Sequence, residues 1–202
     1  MGRDPSSDQP DAGASPASEL RAEIARLNDE LIRAEWRIAE LEARADVDPL
    51  LDILNRRGFE RELRRSLAFI QRYSTEAVLM FIDLDGFKAV NDEHGHAAGD
   101  ALLKAVARNL TDHVRASDIV ARLGGDEFGV LMWHIAQDRA AVKARELEAA
   151  IEAAAIDHGG VRLAVGASAG TVPLGGHTDA DAAIDAADRA MYARKKERRK
   201  RA

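Results

Sequence analysis

Apolar and polar positions change rhythm several times along this chain, and each change marks an element. Residues 1–18 have no rhythm: Pro, Gly, Ser, Asp and Ala dominate, which predicts a disordered or linker-like start. From Leu20 the apolar positions are Leu20, Ile24, Leu27, Leu31, Ala34, Ile38, Leu41 and Ala45, spaced alternately by four and three. That seam predicts a helix over 19–45 that pairs with a second copy of itself. Ile24, Leu31 and Ile38 take one seam position and Leu27, Ala34 and Leu41 the other, a pattern that favours two parallel strands of coiled coil. The alternative is an amphipathic helix folded onto its own domain. Charges at nearly every other position leave little apolar width beyond the seam, which favours pairing.

After a joint over 46–54 the rhythm becomes mixed. Periods near 3.6 predict helices over 55–72, 97–114, 137–157 and 179–198, and apolar or β-branched runs predict strands over 77–83, 119–123, 127–133 and 161–172. Residues 46–202 therefore read as one α/β domain of the α+β kind, a mainly antiparallel sheet flanked by helices. Between two of the strands stand Gly124 and Gly125, which read as a hairpin tip because glycine reaches the positive φ of a tight turn.

The tip carries the candidate chemistry. Asp126 and Glu127 follow the glycines directly, and adjacent carboxylates repel unless a cation lies between them. Hard oxygen donors of this kind favour Mg²⁺. Asp83 and Asp85 end the strand over 77–83, and the period of two puts both on one face if the strand persists that far. Asp85 also reads as a turn or helix-cap residue and is left out of the metal set. Gly86 then allows backbone N–H groups to turn toward an anion, helped by any helix that starts nearby. Lys195 and Arg199 lie four apart, hence on one helix face.

Composition narrows the setting. With 46% hydrophobic and 32% charged residues among 202, the chain can build a core, and the absence of cysteine excludes disulfides and thiolate metal sites. No apolar run approaches the ~18–20 residues of a membrane span, so neither membrane insertion nor export is expected and the cytoplasm is the expected compartment. Residues 194–201 hold seven Lys or Arg and one Glu, a local +6 that leaves −12 for the rest of a chain whose total is −6. An acidic body repels phosphate backbones, so the basic tail is expected to meet a small phosphate ligand and no nucleic acid.

The run Arg122-Leu-Gly-Gly-Asp-Glu-Phe128 resembles the signature of the GGDEF family, the diguanylate cyclases. Phe81-Ile-Asp-Leu-Asp-Gly-Phe-Lys88 is similar to that family's D-x-D-x-F-K, and Asn91-Asp92 with Gly95-His96 and Gly99-Asp100 to its next motif. Arg115-Ala-Ser-Asp118, Ser168-Ala-Gly170 and Ala187-Asp188 through Tyr192 match in order, so the likeness covers roughly 46–202. It implies a palm-like domain that condenses two GTP into cyclic di-GMP and two pyrophosphates across a homodimer. It further implies that Asp83, the carbonyl of Leu84, Asp126 and Glu127 hold two Mg²⁺ per site, with Mn²⁺ as an alternative. Asp126 is then the candidate proton acceptor and Glu127 its rival. Asn91, His96 and Asp100 would read guanine, whose adjacent N–H donors one carboxylate can accept together. Phe87, Lys88, Arg122, Lys195 and Arg199 would hold the rest of the nucleotide, and Arg115 with Asp118 would bind product as an inhibitor.

Two departures from the family pattern stand out. At the joint, Leu51 and Asp52 replace an expected Thr and Gly, and on the last helix Arg198 replaces a Gly, which predicts a helix that continues past it. A catalytically silent domain that only binds GTP or cyclic di-GMP is the alternative function, but it predicts damage to the metal or hairpin residues, and none is visible. A coiled-coil interaction protein accounts for the seam and leaves the coincident site residues unexplained. The activating signal and any regulatory protein are not encoded in recognisable form.

Overall fold

A computed structural model describes residues 16–176 and 178–201, of which the side chains of 16–19, 22, 38–44 and 201 are not described. The chain divides after Glu42 into two units. The first unit lies in helix α1, Pro16–Ala45. Its start brings residues 16–18 into helix, against the expectation of disorder to residue 18; residues 1–15 lie outside the described residues. Within the seam, Leu20, Ile24, Leu27 and Leu31 each expose half or more of their surface.

In the second unit the joint folds back on itself. Val47 bridges to Leu54, Asp48 N–H donates to the Ile53 carbonyl at 2.8 Å, and the Asp48 carboxylate accepts from Leu50 N–H and Leu51 N–H at 2.9 and 3.0 Å. Asp52 sits at φ 57°, a left-handed conformation that Asp tolerates better than most residues and glycine better still. Leu50, Leu51 and Ile53 pack on the core, so the substituted joint is a built turn.

The elements that follow are β1 (Leu54–Asn55), α2 (Arg56–Tyr73), β2 (Ala77–Asp85), α3 (Phe87–His94), α4 (His96–Asp112), β3 (Ile119–Gly124) and β4 (Glu127–Trp133). They continue with α5 (Gln137–Ala153), β5 (Ile156–His158), β6 (Val161–Leu163), β7 (Gly166–Leu174) and α6 (Ala180–Arg201). Five strands form one sheet in the order β1-β3-β4-β2-β7, parallel only between β1 and β3. This is the mainly antiparallel α+β sheet expected.

Strand parity sorts the core into two layers. Val78, Met80, Ile82 and Leu84 of β2 face one layer with Leu102, Val106, Leu147 and Ile151, from α4 and α5. Ala77, Leu79 and Phe81 face the other with Phe59, Leu63, Ala187 and Met191, from α2 and α6. With both faces covered, β2 reads as a continuous apolar run.

Three boundaries differ from the sequence reading. The expected helix over 137–157 stops at Ala153, because residues 156–163 form a separate hairpin. Its turn, Gly159-Gly160, has both residues at positive φ, 63° and 81°, the geometry that matches strand twist in two-residue hairpins. The expected strand 161–172 is accordingly split into β6 and β7. Finally, α3 fills the stretch between the predicted strand over 77–83 and the predicted helix over 97–114, with Gly86 at its N-cap at φ 83°.

Candidate active site

The parity that sends Leu79 and Phe81 toward α6 sends Asp83 and Asp85 there too, because β2 persists to Asp85. Asp83 pairs across the sheet with Glu127, and Leu84 N–H donates to the Asp126 carbonyl at 3.1 Å. The hairpin tip therefore lies against the end of β2, which brings the backbone of Asp126 and Glu127 beside Asp83. Gly124 pairs with Glu127 after a bulge, and Gly125 turns at φ 47°. Arg122 clamps this turn: its Nε and one terminal nitrogen donate to the Gly125 carbonyl at 3.0 and 2.8 Å, and the other reaches Asp48 at 3.2 Å. An arginine expected at the nucleotide thus shapes the hairpin that presents the acids.

Opposite the tip, α6 supplies cations. Lys195 contacts Asp83 directly, and Arg198 Nε reaches Asp85 at 3.2 Å, so the helix does run through Arg198. Asp85 also accepts from Ser168 Oγ at 2.9 Å. That corrects its reading as a cap: Gly86 caps α3, and the Asp85 carboxylate joins β7 and α6 to β2. Arg194 makes a two-pronged pair with the buried Glu148 at 2.9 and 2.6 Å, and the same carboxylate accepts from Ala169 N–H at 2.9 Å. Through these bonds α5 and β7 hold α6 in register over the acids.

Between the tip, α3 and α6 lies a cavity of about 700 Å³ lined by Leu84, Asp85, Gly86, Phe87, Lys88, Asp126, Arg194, Lys195, Arg198 and Arg199. Five cations facing two carboxylates, with the N-terminus of α3 alongside, make a pocket for a polyanion. Of the expected nucleotide set it gathers Phe87, Lys88, Lys195 and Arg199. Asn91, His96 and Asp100 do not line it. They lie on the neighbouring α3–α4 pair, where a Cβ at position 99 would fall 2.0 Å from Asn91 Oδ1, so Asn91 lies over the first turn of α4.

Burial raises the Asp83 carboxyl above its ordinary value; Lys195 opposes this, and Asp126 and Asp85 add to it. Burial likewise raises Glu127, against the pull of Arg56 and with further repulsion from Asp83, Asp126 and Asp188. Both shifts come first from burial, with repulsion by neighbouring carboxylates adding to it. Among the described residues no three acidic or imidazole side chains are already gathered as a metal cage. Asp83 is turned to Lys195, and Glu127 stands 3.5 Å from Arg56.

Sequence reasoning missed Arg56, Arg194, Arg198 and Glu148 as members of this network. Arg194 and Arg198 carried a signal, in the doubled i,i+4 spacing of 194/198 and 195/199. Glu148 carried none, because a glutamate mid-helix looks like a solvated one until the sheet covers it.

Arg115 and Asp118 lie elsewhere, on the turn before β3. Arg115 N–H and Trp133 N–H donate to the two Asp118 carboxylate oxygens at 3.0 and 3.1 Å. A smaller cavity of about 170 Å³ opens there, lined among others by His113, Arg115, Asp118 and Lys143. No helix of the described residues is long and apolar enough to cross a membrane.

A family model described as the diguanylate cyclase GGDEF domain matches residues 45–201. The chain is 36% identical over 196 residues to diguanylate cyclase TpbB of Pseudomonas aeruginosa, which covers 94% of this chain and 45% of that protein. It is 48% identical over 95 residues to the probable diguanylate cyclase DgcE of Escherichia coli, covering 47% of this chain and 9% of that one. It thus spans less than half the length of these curated relatives. Among solved structures, the coiled coil and GGDEF domain of DgcB from Caulobacter crescentus, in complex with c-di-GMP, matches with a TM-score of 0.74 at 25% identity, over 88% of this chain and 95% of that chain. Diguanylate cyclase SiaD, solved with its activator SiaC from Pseudomonas aeruginosa, matches with a TM-score of 0.72 at 29% identity, over 89% of this chain and 70% of that chain. This chain belongs to the GGDEF family of diguanylate cyclases.

Proposed function

We propose that the protein joins two GTP molecules into cyclic di-GMP, each protomer of a homodimer supplying half of the site. The observation that carries this reading is the meeting of three acids, at the end of β2 and the tip of β3–β4, with the cation-lined cavity under α6. A base could sit on Asn91, His96 and Asp100, and the triphosphate could reach from there past Phe87 and Lys88 toward Lys195 and Arg199. Asp83, the Leu84 carbonyl, Asp126 and Glu127 fit Mg²⁺ by donor chemistry, since hard oxygens at a crowded cluster favour a divalent cation. Bound there, Mg²⁺ would stabilise charge developing on the phosphates.

The chain's own residues then have distinct tasks. The 3′-hydroxyl oxygen of one nucleotide forms a bond to the α-phosphorus of the other, and the bond to pyrophosphate breaks. The hydroxyl proton passes to a carboxylate at the tip. Asp126 is the candidate acceptor and Glu127 its rival. Lys195 and Arg199 neutralise the departing pyrophosphate. Because one domain offers one nucleotide, turnover requires two, and pairing of α1 through its seam would supply them. Cyclic di-GMP would bind Arg115 and Asp118 and inhibit.

Incubation with GTP and Mg²⁺, with products identified by mass spectrometry, tests the reading. Cyclic di-GMP and pyrophosphate are expected, and both Asp126→Ala and Asp83→Ala should abolish them with the fold retained. Binding of GTP without turnover by the intact chain would leave a nucleotide-binding module instead.

A further inference from the structure

Two α6 cations rest on two acids of β2, but they are held differently. Arg198 reaches Asp85 at 3.2 Å, contacts Glu152 and lies 3.8 Å from Glu148, while Asp85 is further tied by Ser168. That group is fixed by several bonds from three elements. Lys195 is held by one: among the described residues, Asp83 is the carboxylate it contacts. Its ammonium is a compact charge on a flexible stem, and it borders the cavity in which Lys88 and Arg199 also stand.

We propose that Lys195 is a place-holding cation, which neutralises Asp83 while no nucleotide is bound and thereby opposes a divalent cation there until the phosphates of the nucleotide draw the ammonium away. This inference rests on the reading of Asp83 as a metal ligand. The physical basis is charge. The Asp83 side chain is 12% exposed and has repulsive neighbours in Asp85 and Asp126, so its ionised form needs a counter-charge. An ammonium and a divalent ion on the same carboxylate would repel each other in a site of reduced dielectric. A triphosphate in the cavity offers the ammonium several oxygens within reach of its stem, and Asp83 is then released at the moment the nucleotide arrives. Metal and nucleotide binding become coupled, and by linkage each strengthens the other. The protein would hold its metal loosely when empty and firmly when loaded.

The test is Mn²⁺ binding to the nucleotide-free full chain, followed by the spin-resonance signal of free Mn²⁺. Lys195→Met and Lys195→Gln should each bind Mn²⁺ at least about fivefold more tightly than the unaltered protein, the lower end of ordinary coupling. Lys195→Arg, which restores a cation, should return to the original affinity. Circular dichroism and melting confirm the fold of each variant, and the paired Met and Gln changes guard against a packing artefact of either. Unchanged or weaker affinity in both variants overturns the proposal while leaving the metal reading intact. Combining Asp83→Asn with Lys195→Met should erase the gain. A gain that survives this combination means that Mn²⁺ binds away from Asp83, and both the proposal and the metal reading fall.

Discussion

Replacing Gly170 with alanine should weaken both the fold and the chemistry, although residue 170 touches no substrate in the proposed site. Gly170 lies in β7 opposite Phe81, where α6 crosses the sheet. A Cβ there would fall 2.0 Å from Met191 N and 2.4 Å from the Ala190 carbonyl carbon. Ordinary van der Waals contact begins at 3.4 Å, so α6 would have to retreat by about 1.4 Å at this point. The obstacle is backbone, which cannot rotate aside. At Gly129, by contrast, a Cβ would meet the Phe59 ring at 2.9 Å, which a side-chain adjustment can relieve in part. Overpacking of this sort costs about 1–3 kcal/mol, and the backbone collision puts Gly170→Ala at the upper end. For a domain of this size that corresponds to a fall in Tm of roughly 6–12 °C. The same retreat withdraws Lys195, Arg198 and Arg199 from the acids, and a misplacement of about 1 Å can lower turnover ~100-fold. Thermal melts and initial rates of cyclic di-GMP formation measure the two effects. A Tm and rate equal to those of the unaltered protein would refute the close approach of α6 and β7 as the device that positions the cations.

Three further outcomes are expected. Arg115→Ala should relieve inhibition by cyclic di-GMP and leave initial rates largely intact; unchanged inhibition would make the Arg115–Asp118 turn purely structural. Because Glu127 is raised above its ordinary value of 4.5, the folded chain holds that proton more tightly than the unfolded one, and stability is lost as pH rises from 4.5 through the folded pKa. Glu127→Gln removes that loss, so its stabilising effect in melts should be larger at about pH 7 than near pH 4, and an equal effect at both would remove the assigned cause. Changing Leu27 and Ile38 to glutamate should make specific activity fall on dilution, since tethered half-sites meet at an effective concentration on the order of millimolar and free ones do not. Light scattering that finds these variants dimeric at micromolar concentration would dispose of the seam.

Much of the architecture was legible because it rests on short-range rules. The apolar run of β2, the helical periods of α2, α4 and α6, and the Gly124-Gly125 tip each carry a local physical signature, and the structure reproduces them within a few residues. The second hairpin obeyed the same glycine rule at Gly159-Gly160, but its flanking strands of three residues are too short to show a period. Helix α3 escaped for a similar reason: eight residues begun by a glycine without a side-chain cap look like a loop. The sequence by itself thus determined the strand-and-helix order, the acids at two chain turns and the basic helix that ends the chain. Tertiary structure decided which charge meets which. That Lys195 takes Asp83, that Arg198 gathers Asp85 and Glu152, and that Arg122 holds its own hairpin all depend on where α6 and the joint cross the sheet. Periodicity records the face on which a side chain lies, whereas an ion pair depends on distances between elements far apart in the chain, and no local pattern encodes those.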